Sequence, residues 1–138
     1  MVFFTIFTAP AVFATLTIGE AGKVVGAIFP RYYLLGYIAG IIGLILAVYF
    51  AFSYEPRLWW SLAAVGLAIS LGMTLYAGGV IRPRIEVIRP IAGEPNPDAS
   101  KEAEFKQLHR LSVTLNGGVM VVNLLVLLSS AAALAIRV

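Results

Sequence analysis

The chain contains no cysteine and a single histidine. The first absence removes disulfides, thiolate metal sites and cysteine nucleophiles together, and leaves the redox compartment undetermined. The second limits the nitrogen and sulfur side-chain ligands for a transition metal to His109 and the methionines Met1, Met73 and Met120. Met120 lies roughly 16 Å along a helix from His109, too far for the two to share one ion. Charge is scarce too: 12% of the 138 residues are charged against 60% hydrophobic, and mean hydropathy is +0.92. So apolar a chain cannot hide its surface inside one soluble domain of this size. No P-loop, zinc-protease spacing or serine, histidine and carboxylate set occurs, which leaves hydrolase and nucleotide-driven chemistry without support. There is also no basic stretch ahead of the first apolar run, so the N-terminus reads as a retained helix and not a cleaved signal peptide.

What is present is a series of apolar runs, each of about the 20 residues that a hydrocarbon core about 30 Å thick requires. The pattern predicts an all-α integral membrane four-helix bundle forming a single domain over 1–138, with helices at about 2–18, 32–52, 58–81 and 108–136. The first run is marginal in length, begins abruptly at Phe3-Phe4 and contains Pro10, which deprives the Ile6 carbonyl of its donor and predicts a bend there. Residues 20–29 read as a short interfacial helix ending before Pro30. Tyr32, Tyr33, Tyr49 and Tyr54 stand at the two ends of the second run, where aromatic belts form. The connection 53–57 is short enough to make the second and third helices antiparallel neighbours. Gly36 and Gly40 form one small-residue pair, and Gly66, Ser70 and Thr74 another, so helix backbones approach closely there. A second short surface helix is predicted near 81–88, followed by a turn-rich loop. Asn96 or Ser100 is then placed to cap the last helix, with Glu102 and Glu104 complementing its dipole.

Four crossings put Lys23, Arg31, Arg82, Arg84, Arg89, Lys101, Lys106 and Arg110 on one side and only Arg57 and Arg137 on the other. The positive-inside rule then makes the crowded side cytoplasmic and both termini non-cytoplasmic, in a bacterial inner membrane. The net charge of +3 is explained by this topology and by anionic lipid, without nucleic acid. The lipid bilayer is the first partner; a homo-oligomer or a larger respiratory or transport complex is the next.

Few polar residues remain to carry function. His109, Ser112 and Asn116 recur at helical spacing and continue through Met120 to Asn123 as one stripe. Buried asparagines in a bilayer need partners, which predicts either helix-to-helix or subunit contacts or a polar track for a ligand. Glu20 falls on the same side as His109, and their contact would favour the imidazolium; a histidine bonded to a carbonyl is the plainer alternative. The candidate ligand or partner site is therefore Glu20, Arg31, His109, Ser112 and Asn116, with Asn116 holding the last helix to the first. Pro10, Gly36, Gly40, Gly66, Ser70 and Asn123 are assigned to helix packing. A heme ligated by His109, with Arg31 or Arg110 at its propionates, stays open.

Ala9-Pro10 with Phe13 and Leu16, Ala21-Gly22, Phe29-Pro30-Arg31-Tyr32-Tyr33, Ile81-Arg82-Pro83-Arg84-Ile85, and Phe105, Leu108, His109, Ser112 and Asn116 together resemble the transmembrane protein 205-like family, the bacterial domain of unknown function 4149. The resemblance implies a four-helix membrane bundle with no established reaction. It extends distantly to copper-resistance D-like and heme-binding protoporphyrinogen oxidase-like bundles, which is what it implies for His109. The resulting expectation is a non-enzymatic membrane module with a cytoplasmic-side polar cluster that binds a partner, lipid or small ligand. The alternatives are an accessory subunit of a larger membrane complex, and a heme- or metal-handling protein.

Overall fold

Thr17 decides where the first long helix begins. Its hydroxyl accepts from the Glu20 backbone N–H at 3.4 Å, while the Glu20 carboxylate accepts from the Thr17 backbone N–H at 3.1 Å and from its hydroxyl at 2.7 Å. This reciprocal box satisfies two donors at the helix start and places a negative charge at the positive end of the helix dipole. The computed structural model describes residues 4–88 and 98–136; the expected cap Asn96, together with Arg89, Pro90, Pro95, Pro97 and Arg137, lies outside the described residues.

Ahead of Thr17 a π-helical turn, Phe4–Thr8, leads into α1, Ala9–Thr15. Pro10 sits in the first turn of α1, where the missing N–H costs little. Directly before the proline the backbone is a widened, π-helical turn with Thr8 still helical. Together the two pieces measure about 18 Å at 1.5 Å per residue, shorter than the crossing expected over 2–18.

α2 runs unbroken over Ile18–Ser53 and carries Pro30 inside it. The separate interfacial helix expected to stop before Pro30 is therefore the first third of the long helix. Rings on either side of the proline hold the helix together: Phe29 stacks on Tyr33 at 6.0 Å and meets Tyr32 edge-on at 6.1 Å. The next turn continues the ladder, with Tyr33 stacked on Tyr37 at 6.3 Å.

A turn at residues 54–56 reverses the chain into α3, Arg57–Tyr76, which passes through a second π-helical turn, Ala77–Ile81, into α4, Arg82–Ile88. The expected surface helix near 81–88 is thus a continuation of the third helix. Last comes α5, Ala99–Ala135, capped by the Asp98 carboxylate, which accepts from the Ser100 backbone N–H at 3.0 Å and its hydroxyl at 2.7 Å. Ser100 is a donor in this cap, and the acceptor is Asp98.

Three helices are long and apolar enough to cross a membrane: Gly19–Ser53, Arg57–Ile88 and Ala99–Ala135. At roughly 48 to 55 Å each, they overshoot a hydrocarbon core about 30 Å thick. The surplus of α2 and α5 is N-terminal and that of the α3–α4 rod is C-terminal, so all of it falls at one end.

The three form a layer with α3 in the middle, packed on α2 along one side and on α5 along the other. Gly36 faces Thr74 and Gly40 faces Leu71 across α2 and α3, so these run antiparallel. Gly66 faces Val126, and Gly118 faces Met73, so α3 and α5 are antiparallel too. The core is consequently narrow: Trp60, Ala63, Ser70, Thr74, Ala77 and Ile81 of the central rod, with Ala21, Val25, Tyr33 and Ala47 of α2 and Val119 and Ala133 of α5. The buried Thr74 hydroxyl is satisfied within its own helix, where it donates to the Ser70 backbone carbonyl at 2.7 Å. At the far end Trp60 packs on Phe50 of α2 with ring centroids 4.8 Å apart, and its buried indole N–H has no acceptor among the described residues. α1 packs on α2, with no comparable contact to α3 or α5 among the described residues. The four-helix bundle expected from the sequence is thus, over these residues, a three-helix layer with α1 beside it.

Candidate functional site

The second π-helical turn is where the three long helices meet. A side chain at Gly78 would overlap the Tyr37 hydroxyl, and its Cβ would stand 2.8 and 2.9 Å from the Tyr33 ring. Only glycine lets α2 come so close to the central rod. Inserting one residue of π geometry re-aims the rod at this point and carries Arg82 and Arg84 into α4, next to α5. From the other side the Asn116 side-chain amide of α5 donates to the Tyr33 hydroxyl at 3.4 Å and to the Ser112 carbonyl at 2.9 Å. Tyr33, Tyr37, Gly78 and Asn116 therefore make a polar and aromatic junction at the boundary between the apolar spans and the overshooting end.

The residues singled out in the sequence distribute around this junction unevenly. Asn116 lies in it, but its partner is Tyr33 of α2 and not the first helix. Ser112 contributes a backbone carbonyl. Arg31 and His109 are exposed on α2 and α5. The His109 ring stacks on Phe105 with centroids 6.0 Å apart and planes 10° from parallel. Glu20 is exposed and engaged with Thr17; no hydrogen bond or ion pair joins it to His109. The two were brought together by sidedness alone, and the capping box takes up the carboxylate locally. That engagement, chiefly the bond from the Thr17 hydroxyl and then that from its backbone N–H, holds the Glu20 carboxyl below the usual glutamate range, with Lys23 adding to it.

Tyr33 is legible in the sequence only as a belt aromatic, and Tyr37 carries no signal of its own there. Their convergence on Gly78 depends on the packing of α2 against the rod, and the one local signal was the Gly78-Gly79 pair just before Arg82.

Electrostatically the overshooting end is a mixture. Arg82 pairs with Glu86, Lys106 with Glu102 at 2.7 Å and Lys101 with Asp98 at 3.9 Å. Arg31, Arg84 and Arg110 form no ion pair among the described residues. Arg31 precedes Tyr33 by two positions and Arg110 precedes Asn116 by six on parallel helices, so both lie within about 9 Å of the junction along the axis. The opposite end carries the exposed pair Glu55 and Arg57, at 3.0 Å.

For a metal, the described residues bring no group of three histidine, cysteine, aspartate or glutamate side chains together. For heme, His109 supplies an imidazole on an exposed helix face whose ring is already stacked on Phe105. A porphyrin would also need an apolar slot beside its axial ligand.

No curated protein and no solved structure matches the chain. Residues 1–94 match the family described as Domain of unknown function (DUF4149). The match takes in α1 to α4, with the aromatic ladder, the π-helical turn and the Arg82 to Arg84 corner, and stops short of α5. Covering more than half of the 138 residues, it assigns the protein: the chain belongs to the DUF4149 family.

Proposed function

We propose that the protein is a non-enzymatic multi-pass membrane module whose cytoplasmic-side cluster binds an anionic group on a lipid, partner or small ligand. The observation that carries this reading is that Arg31 and Arg110, like Lys23 and Arg84, form no ion pair among the described residues and stand near the Tyr33–Asn116 contact, while Arg82, Lys101 and Lys106 of the same end are paired. A guanidinium at the edge of an apolar span meets phosphate or carboxylate groups in a bidentate way and is attracted to an anionic leaflet by about 1 kcal/mol. His109 and Arg84 extend the same surface; Tyr33 and Asn116 form its floor.

In this reading the apolar run at the N-terminus completes a fourth crossing, with both termini on the non-cytoplasmic side. The support is the eight-to-two division of lysines and arginines and the common end at which the long helices overshoot.

The binding reading is tested by lipid retention. Purified protein in mild detergent, exchanged into mixed micelles of phosphatidylglycerol and phosphatidylcholine and weighed by native mass spectrometry, is expected to retain the anionic lipid preferentially. The preference should fall severalfold in an Arg31→Gln, Arg110→Gln variant that inserts normally. Equal retention of the two lipids by the wild-type chain would refute binding of an anionic lipid headgroup by this cluster.

A further inference from the structure

Asn123 sits near the middle of the apolar part of α5, about 18 Å from Leu111 and about 20 Å from Ile136 along the axis. Its side chain is half-buried, and none of its amide groups has a hydrogen-bond partner among the described residues. Two other polar side chains on the same helix face, one to either side along the axis, are answered inside the chain. Asn116 bonds Tyr33 and the Ser112 carbonyl, and the Ser130 hydroxyl donates to the Val126 carbonyl at 2.9 Å. At mid-bilayer depth neither water nor lipid offers a donor or acceptor; a helix carbonyl four residues back can take an amide N–H, as it does for Asn116, but the amide oxygen finds no free donor in its own helix and stays costly until another helix supplies one.

The surroundings of Asn123 are those of a helix seam. Met120, Asn123, Leu127, Ser130 and Leu134 follow one another at spacings of three and four, the period of a left-handed helix pair. Beyond the Tyr33 contact this face is open: Leu127 is 67% exposed, Leu134 55% and Met120 39%. α1 does not cover it among the described residues, since it packs on α2.

We propose that this face of α5 is the interface with a second copy of the chain, related by a two-fold axis along the membrane normal, in which the two Asn123 amides bond each other. The occupant follows from the chemistry of the amide, which carries both donor and acceptor. Two copies of α5 in the same membrane are parallel, and at a two-fold axis each amide supplies what the other lacks. A single asparagine in such a seam also fixes its register.

The lack of native cysteine allows single cysteines to be introduced one at a time. Leu127→Cys on the seam and Val121→Cys, about 120° away around the helix and also exposed, are oxidised in proteoliposomes of the full chain. The Leu127→Cys protein is expected to yield a disulfide-linked homodimer and the Val121→Cys protein none. Adding Asn123→Leu to Leu127→Cys should lower the association constant about eightfold, the effect of losing two intramembrane hydrogen bonds, and reduce the linked dimer accordingly. Equal linking at 121 and 127, no linking at either, or linking at 127 that survives Asn123→Leu each overturns the proposal. Should Asn123→Leu fail to insert, the contrast between positions 127 and 121 in the native background still decides.

Discussion

Gly78 and Gly79 are adjacent glycines in the same π-helical turn, and they should respond oppositely to alanine. A Cβ at Gly79 meets nothing within 4 Å, whereas one at Gly78 overlaps the Tyr37 hydroxyl and crowds the Tyr33 ring at 2.8 and 2.9 Å. The gain from replacing glycine in a helix, up to about 1 kcal/mol, is similar at both positions and cancels when the two variants are compared. What remains is the cost of forcing an atom into a closed contact, about 1–3 kcal/mol. Gly79→Ala is thus expected to be neutral or slightly stabilising, and Gly78→Ala destabilising, with that difference between them. Denaturant unfolding in mixed micelles reads it, followed by helix circular dichroism and by tryptophan fluorescence. Trp60 is a suitable reporter because it rests on Phe50 across the α2–α3 interface that the new methyl would wedge apart. Adding Tyr37→Phe removes the nearest obstacle but leaves the Tyr33 ring, so it should restore part of the loss and no more. If Gly78→Ala and Gly79→Ala unfold within about 0.5 kcal/mol of each other, the close approach of α2 to the rod is wrong and the junction built on it falls.

The two helix caps give a pH dependence. Glu20 and Asp98 both titrate below their ordinary carboxylate values, held there first by the Thr17 and Ser100 side chains respectively. A carboxylate depressed in the folded state lends its full stability above the unfolded value, about 4, and loses it as pH falls through the lower folded value. Amide exchange in the first turns of α2 and α5 should therefore speed up as pH drops from about 5 to about 3, once corrected for intrinsic rates. Thr17→Ala, which removes the hydroxyl but keeps the backbone N–H, should weaken this response in α2 and spare it in α5, where the Asp98 cap is untouched; an unaltered α2 response would mean that the Thr17 side chain does not hold the helix start.

The long apolar stretches, their order and the gathering of lysine and arginine at one end all follow from composition and period, because a bilayer imposes length and charge rules that act on each segment alone. The antiparallel pairing of α2 and α3 follows in the same way from a connection too short for any other arrangement. Pro30 shows where local rules stop. A proline argues for a helix end, yet Phe29 and Tyr33 stack across it, and the helix continues as one rod. Glu20 and His109 were paired because they share a side of the membrane, a one-dimensional fact that carries no lateral distance. Tertiary packing alone decided that Gly78 receives two tyrosines, that Asn116 finds Tyr33 on the second helix, and that α1 lies outside the layer. It alone distinguishes Asn116, answered within the chain, from Asn123, left open seven residues further on. Those outcomes depend on how neighbouring helices rotate and cross, and that is set by side-chain contacts between segments that no single run of residues contains.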